Sequence, residues 1–287
     1  MQTSAAKPLD YLTIGHITKD LAASGFTLGG TAAYSTLTAR AFGLKSAIFS
    51  AYGPEIDIAV LHGIAVFRKN SEKTTTFENI DSQSGRKQYL YETAAPLLAK
   101  DVPESISSPR VLHLGPVANE VEAEIAYLFP DSFLGLTPQG WMRSSNAEGL
   151  VEYQEWHPSK SLMEKTDAVV VSIEDVRGNE DIISELANQF NVLAVTEGSE
   201  GARVYWHGDV RRFRAPKVAV KDLTGAGDIF AAAFFIRLEA TCDPWESAAL
   251  AVNLASLSVT RAGLMGVPSQ EEVKSNLVEI IRGSTQP

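Results

Sequence analysis

The run Asp222-Leu223-Thr224-Gly225-Ala226-Gly227-Asp228 holds the residue types that can do chemistry. Two glycines let backbone N–H groups come close to an anion. The apolar stretch Ile229 to Ile236 begins a helix whose positive dipole end points at the same spot. Asp228 then sets a carboxylate within reach of whatever the amides hold. Amides beside a lone carboxylate suit phosphoryl transfer to a hydroxyl: the amides stabilise charge on the group in flight, and the carboxylate takes the hydroxyl proton. The same letters also make a tight turn followed by an acid that the helix dipole favours. The helix that follows, over about 226–239, is almost wholly apolar and therefore buried, and a charge in the first turn of a buried helix needs a reason.

The elements that must position this run alternate along the chain. Short apolar runs at Tyr11–Ile14, Ser46–Ala51, Val111–Leu114, Ser132–Leu136, Ala168–Ser172 and Val192–Thr196 predict strands, and Val218 and Val220 a further short one ending at Asp222. Helices are predicted over Gly30–Phe42 ending at Gly43, Asn119–Leu128 before Pro130, and Asp181–Phe190 after a possible N-cap at Asn179. Asp243-Pro244-Trp245-Glu246 opens a helix reaching about Ala262 and stopping at Gly263, and the capping box Ser269-Gln270-Glu271-Glu272 opens the last one. This alternation is the mark of βαβ units and a mostly parallel sheet. Val204–Trp206 and Val210–Phe213 read as a hairpin. So do 74–78 and 87–91 around the turn at 81–85, but this second hairpin has no helical partner and is expected to stand off the sheet as a lid, the alternative being an antiparallel edge extension.

Composition narrows the class. The 287 residues, 45% hydrophobic and 21% charged, fit one large α/β domain, or one with a small appendage. The net charge of −10 argues against broad nucleic-acid binding or an anionic membrane surface, and Arg211-Arg212-Phe213-Arg214 is short enough to be a solvated edge. Cys242 is the only cysteine, and His16, His62, His113, His157 and His207 show no metal-ligand spacing. With no signal-peptide layout and no membrane-length apolar run, a cytoplasmic protein is expected.

Several residues have readings of their own. Gly29-Gly30 opens a helix where a ligand can meet bare backbone, or where a turn merely packs closely. Asp20 lies just past a strand end, placed to grip two hydroxyls, or else serves as a helix N-cap or a plain loop acid. Gly198 and Gly201 make a turn before the hairpin. Gln139 and Arg143, in Thr137-Pro138-Gln139-Gly140-Trp141-Met142-Arg143, follow another strand end and face either a pocket or solvent.

Taken in order, Gly15-His16-Ile17-Thr18-Lys19-Asp20, Leu28-Gly29-Gly30-Thr31-Ala32-Ala33-Tyr34, Thr75-Thr76-Phe77-Glu78, Val195-Thr196-Glu197-Gly198-Ser199-Glu200-Gly201-Ala202 and the Asp222–Asp228 run resemble the ribokinase-like (PfkB) carbohydrate kinases over nearly the whole chain. The resemblance implies a single domain over 1–287, an α/β fold that is a Rossmann-like three-layer sandwich with a mostly parallel sheet and a small β-hairpin lid, and lid elements near 11–20 and 74–92. It implies transfer of the γ-phosphoryl group of ATP, with Mg2+, to a hydroxyl of a small sugar, polyol or nucleoside. Asp228 takes the place of the base, and Gly225, Ala226 and Gly227 that of the anion hole. Thr196, Gly198, Gly201, Thr224 and, on a looser match, Asn253 take the nucleotide positions. Asp20, Gly29, Gly30, Tyr34, Thr76, Gln139 and Arg143 take those of the acceptor.

Departures from the family pattern bear on the acceptor and the metal. Tyr34 stands where many members have an asparagine that binds hydroxyls. The Asn-x-x-Glu motif that orders magnesium appears as Ser172-Ile173-Glu174-Asp175, leaving Asp175 to hold the ion through water. The short 53–63 region has no room for a long helix. These features, with the 137–143 segment, resemble the inositol-kinase branch and point to a cyclic polyol such as myo-inositol. A nucleoside kinase of the same fold, with Tyr34 stacking on a base, and a non-catalytic nucleotide or sugar sensor are the alternatives. Charges at Lys73, Glu78, Arg86 and Lys87 on the hairpin edge leave a monomer and a weak homodimer both open.

Overall fold

Successive residues of the central strands bury in opposite directions. Val169 and Val171 pack into one apolar cluster, Ala168 and Val170 into another, and Leu193 and Val195 part from Val192 and Ala194 in the same way. A strand apolar on both faces belongs inside a sheet covered on both sides, and the computed structural model, which describes residues 9–22, 25–82 and 85–277, has that architecture.

In chain order the elements are β1 (Leu9–Ile14), β2 (Thr18–Ala22), β3 (Gly25–Gly29), α1 (Thr31–Ala41), β4 (Ser46–Tyr52), β5 (Ala65–Asn70), β6 (Thr76–Ser82), β7 (Gly85–Glu92), β8 (Pro109–Leu114), β9 (Phe133–Leu136), β10 (Arg143–Ser145), β11 (Val151–Tyr153), α2 (Lys160–Lys165), β12 (Ala168–Ser172), α3 (Glu180–Gln189), β13 (Val192–Thr196), β14 (Ala202–Trp206), β15 (Asp209–Phe213), α4 (Ala226–Thr241), α5 (Pro244–Ser258) and α6 (Gln270–Asn276). Nine strands form the main sheet in the order β15-β14-β13-β12-β9-β8-β1-β4-β5. Pairing is parallel from β13 to β5 and antiparallel at β14 and β15. Leu162 of α2, and Ile183 and Leu186 of α3, pack on one face; α4 and α5 pack on the other, which makes three layers.

The largely apolar helix α4 is buried from Ile229 to Ile236. Gly135 of β9 makes room for it, because a Cβ there would collide with the Phe235 ring. Large rings meeting a strand without a side chain bring helix and sheet close, and that close packing sets where the first turn of α4 ends up.

A second sheet, β3-β2-β6-β7, stands off the main one. The hairpin expected alone at 74–91 is thus half of a four-stranded sheet, and Tyr11–Ile14, expected near the lid, belongs to β1 in the main sheet. The roots of the outer sheet are tied to the body by buried polar groups. Thr75 Oγ1 donates to His16 Nδ1 at 2.7 Å and accepts from Ala94 N at 3.0 Å, while His16 Nε2 donates to the Ala95 carbonyl at 3.0 Å. Glu120, 4% exposed, accepts the N–H groups of His16, Val117 and Ala118. A buried carboxylate is stable on those terms because charge-assisted hydrogen bonds replace its water.

Three expectations fail locally. The strand at Val218–Val220 does not form. Residues 214–220 are irregular, and the next two amides, of Lys221 and Asp222, donate to Val259 O instead of to a ladder. The helix expected over Asn119–Leu128 is a 3-10 turn at Ala123–Leu128, since Leu97 pairs with Val121 and takes Glu120 O and Glu122 N out of helical bonding. Helix α5 ends at Ser258 rather than near Ala262, where Val259 O turns to the 221–222 backbone. Among the described residues no helix is long and apolar enough to cross a membrane.

Candidate active site

Strand β1 lies between β4 and β8, so the chain winds outward in both directions from this point. Ligand crevices in open α/β sheets form at the carboxyl ends of the strands beside such a switch. A cavity of about 1230 Å3 opens there. Its wall brings together Asp20, Gly30, Tyr34, Gln139, Arg143, Asp175, Thr196, Gly198, Gly201 and the 224–228 run.

Two helices start at this cavity, each from a glycine with positive φ. Gly30 (φ 86) precedes α1 and Gly225 (φ 80) precedes α4. Only glycine adopts these angles without strain, and space forbids anything larger: a Cβ on Gly30 would collide with His16 O, and one on Gly225 with the Tyr34 ring. At this end of α4 the Ala226 N–H donates to Leu223 O at 3.3 Å, and the helix dipole gives the 225–227 turn the polarity that favours an anion.

Asp228 sits in that first turn. Its Oδ1 accepts from Thr31 Oγ1 at 2.6 Å, Gln139 Nε2 donates to Thr31 Oγ1 at 3.0 Å, and Ser35 Oγ donates to the Asp228 carbonyl at 3.2 Å. Burial pushes its pKa from 3.8 up to about 6, against the lowering effect of the Thr31 bond and the Arg143 charge, and with Asp175 and Asp20 adding to the rise. A carboxyl tuned towards neutrality can accept a proton and release it again. Beneath it, buried His113 bridges the Tyr11 hydroxyl at 2.8 Å and the Thr137 hydroxyl at 2.9 Å, and burial pushes its pKa down to about 3, so it stays neutral.

Asp175 is held on both oxygens. Oδ1 pairs with Arg143 Nη2 at 3.3 Å and Oδ2 accepts the Ser172 N–H at 2.9 Å. Among the described residues no group of three or more His, Cys, Asp or Glu forms a metal cage. Magnesium carried on donor phosphates needs only one or two carboxylates, and Asp175 with Glu174, both on the cavity wall, fits that requirement.

At the other end, Gly198 (φ 57) and Gly201 (φ 99) shape the loop after β13, and a Cβ on Gly201 would collide with Phe213 O. The loop is braced from outside: Glu197 Oε1 pairs with Arg203 Nε at 2.6 Å and Oε2 with Arg212 Nη2 at 3.2 Å. The facing wall is apolar, with Val220 and Leu223 each 59% exposed opposite Val252, Ala255 and Val259.

Some expected residues lie elsewhere. Asn253 is on α5, but Val252, Ala255 and Ser256 line the cavity in its stead. Thr76 is buried, its hydroxyl donating to Thr74 O at 2.8 Å, and Phe77 and Asn79 face the cavity from β6. Gly29 packs against Asp20 instead of lining the wall. Tyr34 is 1% exposed and lies under Gly225, which removes its face from stacking on a base. The sequence reading missed Thr31 and Glu174 as cavity residues. Thr31 directly follows the Gly29-Gly30 pair, and that adjacency was its one sequence signal.

Residues 162–271 match the family model for pfkB family carbohydrate kinases. A fructokinase of Klebsiella pneumoniae is 34% identical over 126 residues, which is 39% of this chain and 41% of that protein. A ribokinase of Lactococcus lactis subsp. lactis is 36% identical over 102 residues, 35% of this chain and 33% of that protein. The matched stretch therefore spans about two fifths or less of these curated relatives. Among solved structures, a pyrophosphate-dependent kinase in the ribokinase family, complexed with a pyrophosphate analog and myo-inositol, has a TM-score of 0.78 at 19% identity, covering 92% of this chain and 99% of that one. Arabidopsis thaliana ribokinase complexed with ribose and ATP has a TM-score of 0.69 at 17% identity, covering 94% and 98%. The chain resembles the pfkB family carbohydrate kinases in sequence over residues 162–271 and has the ribokinase-family fold over more than nine tenths of its length.

Proposed function

We propose that this chain is a kinase that moves the γ-phosphoryl group of ATP onto a hydroxyl of a small sugar or polyol, with a cyclic polyol such as myo-inositol as the first candidate. The observation that carries this reading is Asp228: a carboxyl raised to about 6, fixed through one oxygen, in the first turn of a buried helix whose N-terminal turn faces the same cavity. In the reaction the acceptor O–H bond breaks and its proton passes to Asp228. The acceptor oxygen bonds to the γ-phosphorus as the bond from phosphorus to the donor's bridging oxygen breaks, and ADP leaves with that electron pair. The amides at 225–227 stabilise the charge on the transferring group, each donor contributing about 3 kcal/mol. Magnesium, when bound, neutralises phosphate charge, and Asp175 and Glu174 are the residues that would hold it. Asp20 and Arg143 offer an acceptor and a donor of hydrogen bonds to substrate hydroxyls, and the outer sheet, with Phe77 and Asn79 on the cavity, acts as the lid.

The apolar wall of Val220, Leu223 and Ala255 supports a nucleotide donor, since a purine gains from apolar faces that a purely ionic donor does not need. One structural neighbour is pyrophosphate-dependent, so the donor is tested alongside the acceptor. Asp228→Asn is expected to keep ATP affinity while losing roughly 10²–10⁴-fold in turnover. The readout is ADP release across inositol, ribose, fructose, adenosine and cytidine with ATP, and orthophosphate release across the same acceptors with pyrophosphate as an alternative donor. Near-normal turnover in the variant removes Asp228 as base. Absence of both ADP release from ATP and orthophosphate release from pyrophosphate, by the wild type with any acceptor, supports the sensor instead.

A further inference from the structure

A carboxylate has two equivalent oxygens and rotates about one bond. Nothing in Asp228 alone decides which oxygen takes the proton or at what pH. The decision lies in the residues packed on it, and two of them form a restrained chain.

Thr31 is completely buried, and its hydroxyl lies 2.6 Å from Asp228 Oδ1. A hydroxyl has one proton and two lone pairs. Gln139 Nε2 donates to one of those lone pairs at 3.0 Å, which commits the Thr31 proton to the carboxylate. The methyl of Thr31 packs on the bare backbone of Gly115, where any Cβ would collide with it. A β-branched side chain with its methyl packed and its oxygen bonded on both sides has one rotamer open to it. Turning it away would leave the Gln139 amide and Asp228 Oδ1 without this partner.

We infer that Gln139 and Thr31 form a positioning pair that holds Asp228 Oδ1 and leaves Oδ2 to receive the proton of the acceptor. The assignment rests on Asp228 being the base. It gives Gln139 a task other than gripping substrate, and it gives Thr31 a task where the sequence suggested none. The groups facing Asp228 are Asp20 from β2, Arg143 from β10, Asp175 from the segment after β12, and the phenols Tyr11 of β1 and Tyr34 of α1. The Thr31 bond favours the ionised carboxylate against burial and against the two neighbouring acids, so its loss raises the proton affinity of the base while every charge stays in place.

The test compares wild type, Thr31→Ser, Thr31→Val, Gln139→Leu and Asp228→Asn by the pH profile of kcat/KM for ADP release, with donor KM and thermal unfolding measured in parallel. Thr31→Val is expected to lose about tenfold or more in kcat near pH 7 with donor KM unchanged, and to move the acidic limb up by about one pH unit. Thr31→Ser restores both. Gln139→Leu moves the limb the same way by less, and it carries the test if Thr31→Val does not fold. An unmoved limb in both Thr31→Val and Gln139→Leu overturns the pair. So does a Gln139→Leu variant that only raises the acceptor KM. Full turnover in Asp228→Asn overturns the base and the pair together, whereas a dead Asp228→Asn beside unmoved limbs overturns the pair alone.

Discussion

The two ends of the cavity are built differently. At the end proposed for the acceptor, polar side chains from separate elements bond to one another: Gln139 to Thr31, Thr31 to Asp228, Arg143 to Asp175. At the end proposed for the donor the wall is glycine turns and exposed apolar side chains, and the ion pairs that brace it, from Glu197 to Arg203 of β14 and Arg212 of β15, are made by residues that do not line the cavity. Bond-making demands fixed atoms, and a network of short hydrogen bonds fixes them. Holding a large planar group demands shape and dryness, which an apolar slot supplies at lower precision. Substitutions at the two ends are therefore expected to fail in different ways.

The largest combined effect on turnover and stability is expected at Gly225, where the ends meet. Gly225→Ala combines a φ of 80 with a collision against Tyr34. It is expected to lose roughly 10²–10³-fold in turnover and about 2–4 kcal/mol of stability. Steady-state kinetics and thermal unfolding read these, and wild-type values in both would break the picture of a rigid junction. Next is Ala255→Leu at the donor end. It is expected to raise the ATP KM about tenfold while leaving the acceptor KM alone; equal effects on both constants would erase the distinction between the ends.

The pH dependence probes the acceptor end alone. Activity is expected to fall about tenfold per pH unit below about 6, because the base must be ionised. Stability runs the other way. A carboxyl raised from 3.8 to about 6 contributes stability that is full below about pH 4 and is lost as pH rises through 6. Asp228→Asn escapes that loss, and chemical denaturation at pH 8 is expected to show it about 2 kcal/mol more stable than wild type. The smallest effect is expected at the lid root. Thr75→Val removes the bonds to His16 and Ala94, and is expected to cost about 1 kcal/mol and to raise the acceptor KM a few-fold with the donor KM unchanged.

What could be read from the sequence was what is local. The caps at Asn179, Asp243 and Ser269 act as their residue types imply, each side chain accepting from the first-turn N–H groups of its own helix. The parallel core was legible because Ala168–Ser172 and Val192–Thr196 are apolar on both faces. Asp228 stood out because a charge opens an apolar helix. What stayed hidden was long-range. Thr31 meets Asp228 across 197 positions and Gln139 across 108, and no local pattern announces either bond. Val218 and Val220 have strand-forming side chains but no partner strand, and Asn119–Leu128 lost its first helical turn to a bridge with Leu97. The lid element expected near 11–20 takes in the first residues of β2, but the strand itself was not legible because Thr18–Ala22 is short and largely polar, and pairs with β6 from far along the chain.

The outer sheet does not end at β7. Leu90 N donates to Gly149 O at 2.8 Å and Tyr89 bridges Leu150, so the β10–β11 ribbon that carries Arg143 is stitched to the outer sheet. In the language of hydrogen exchange, the amides of β7, β10 and β11 then belong to one cooperative opening unit. An acceptor held by Arg143 will slow deuterium uptake at Leu90 as well as at its own ribbon, which makes the Leu90 amide a reporter of occupancy.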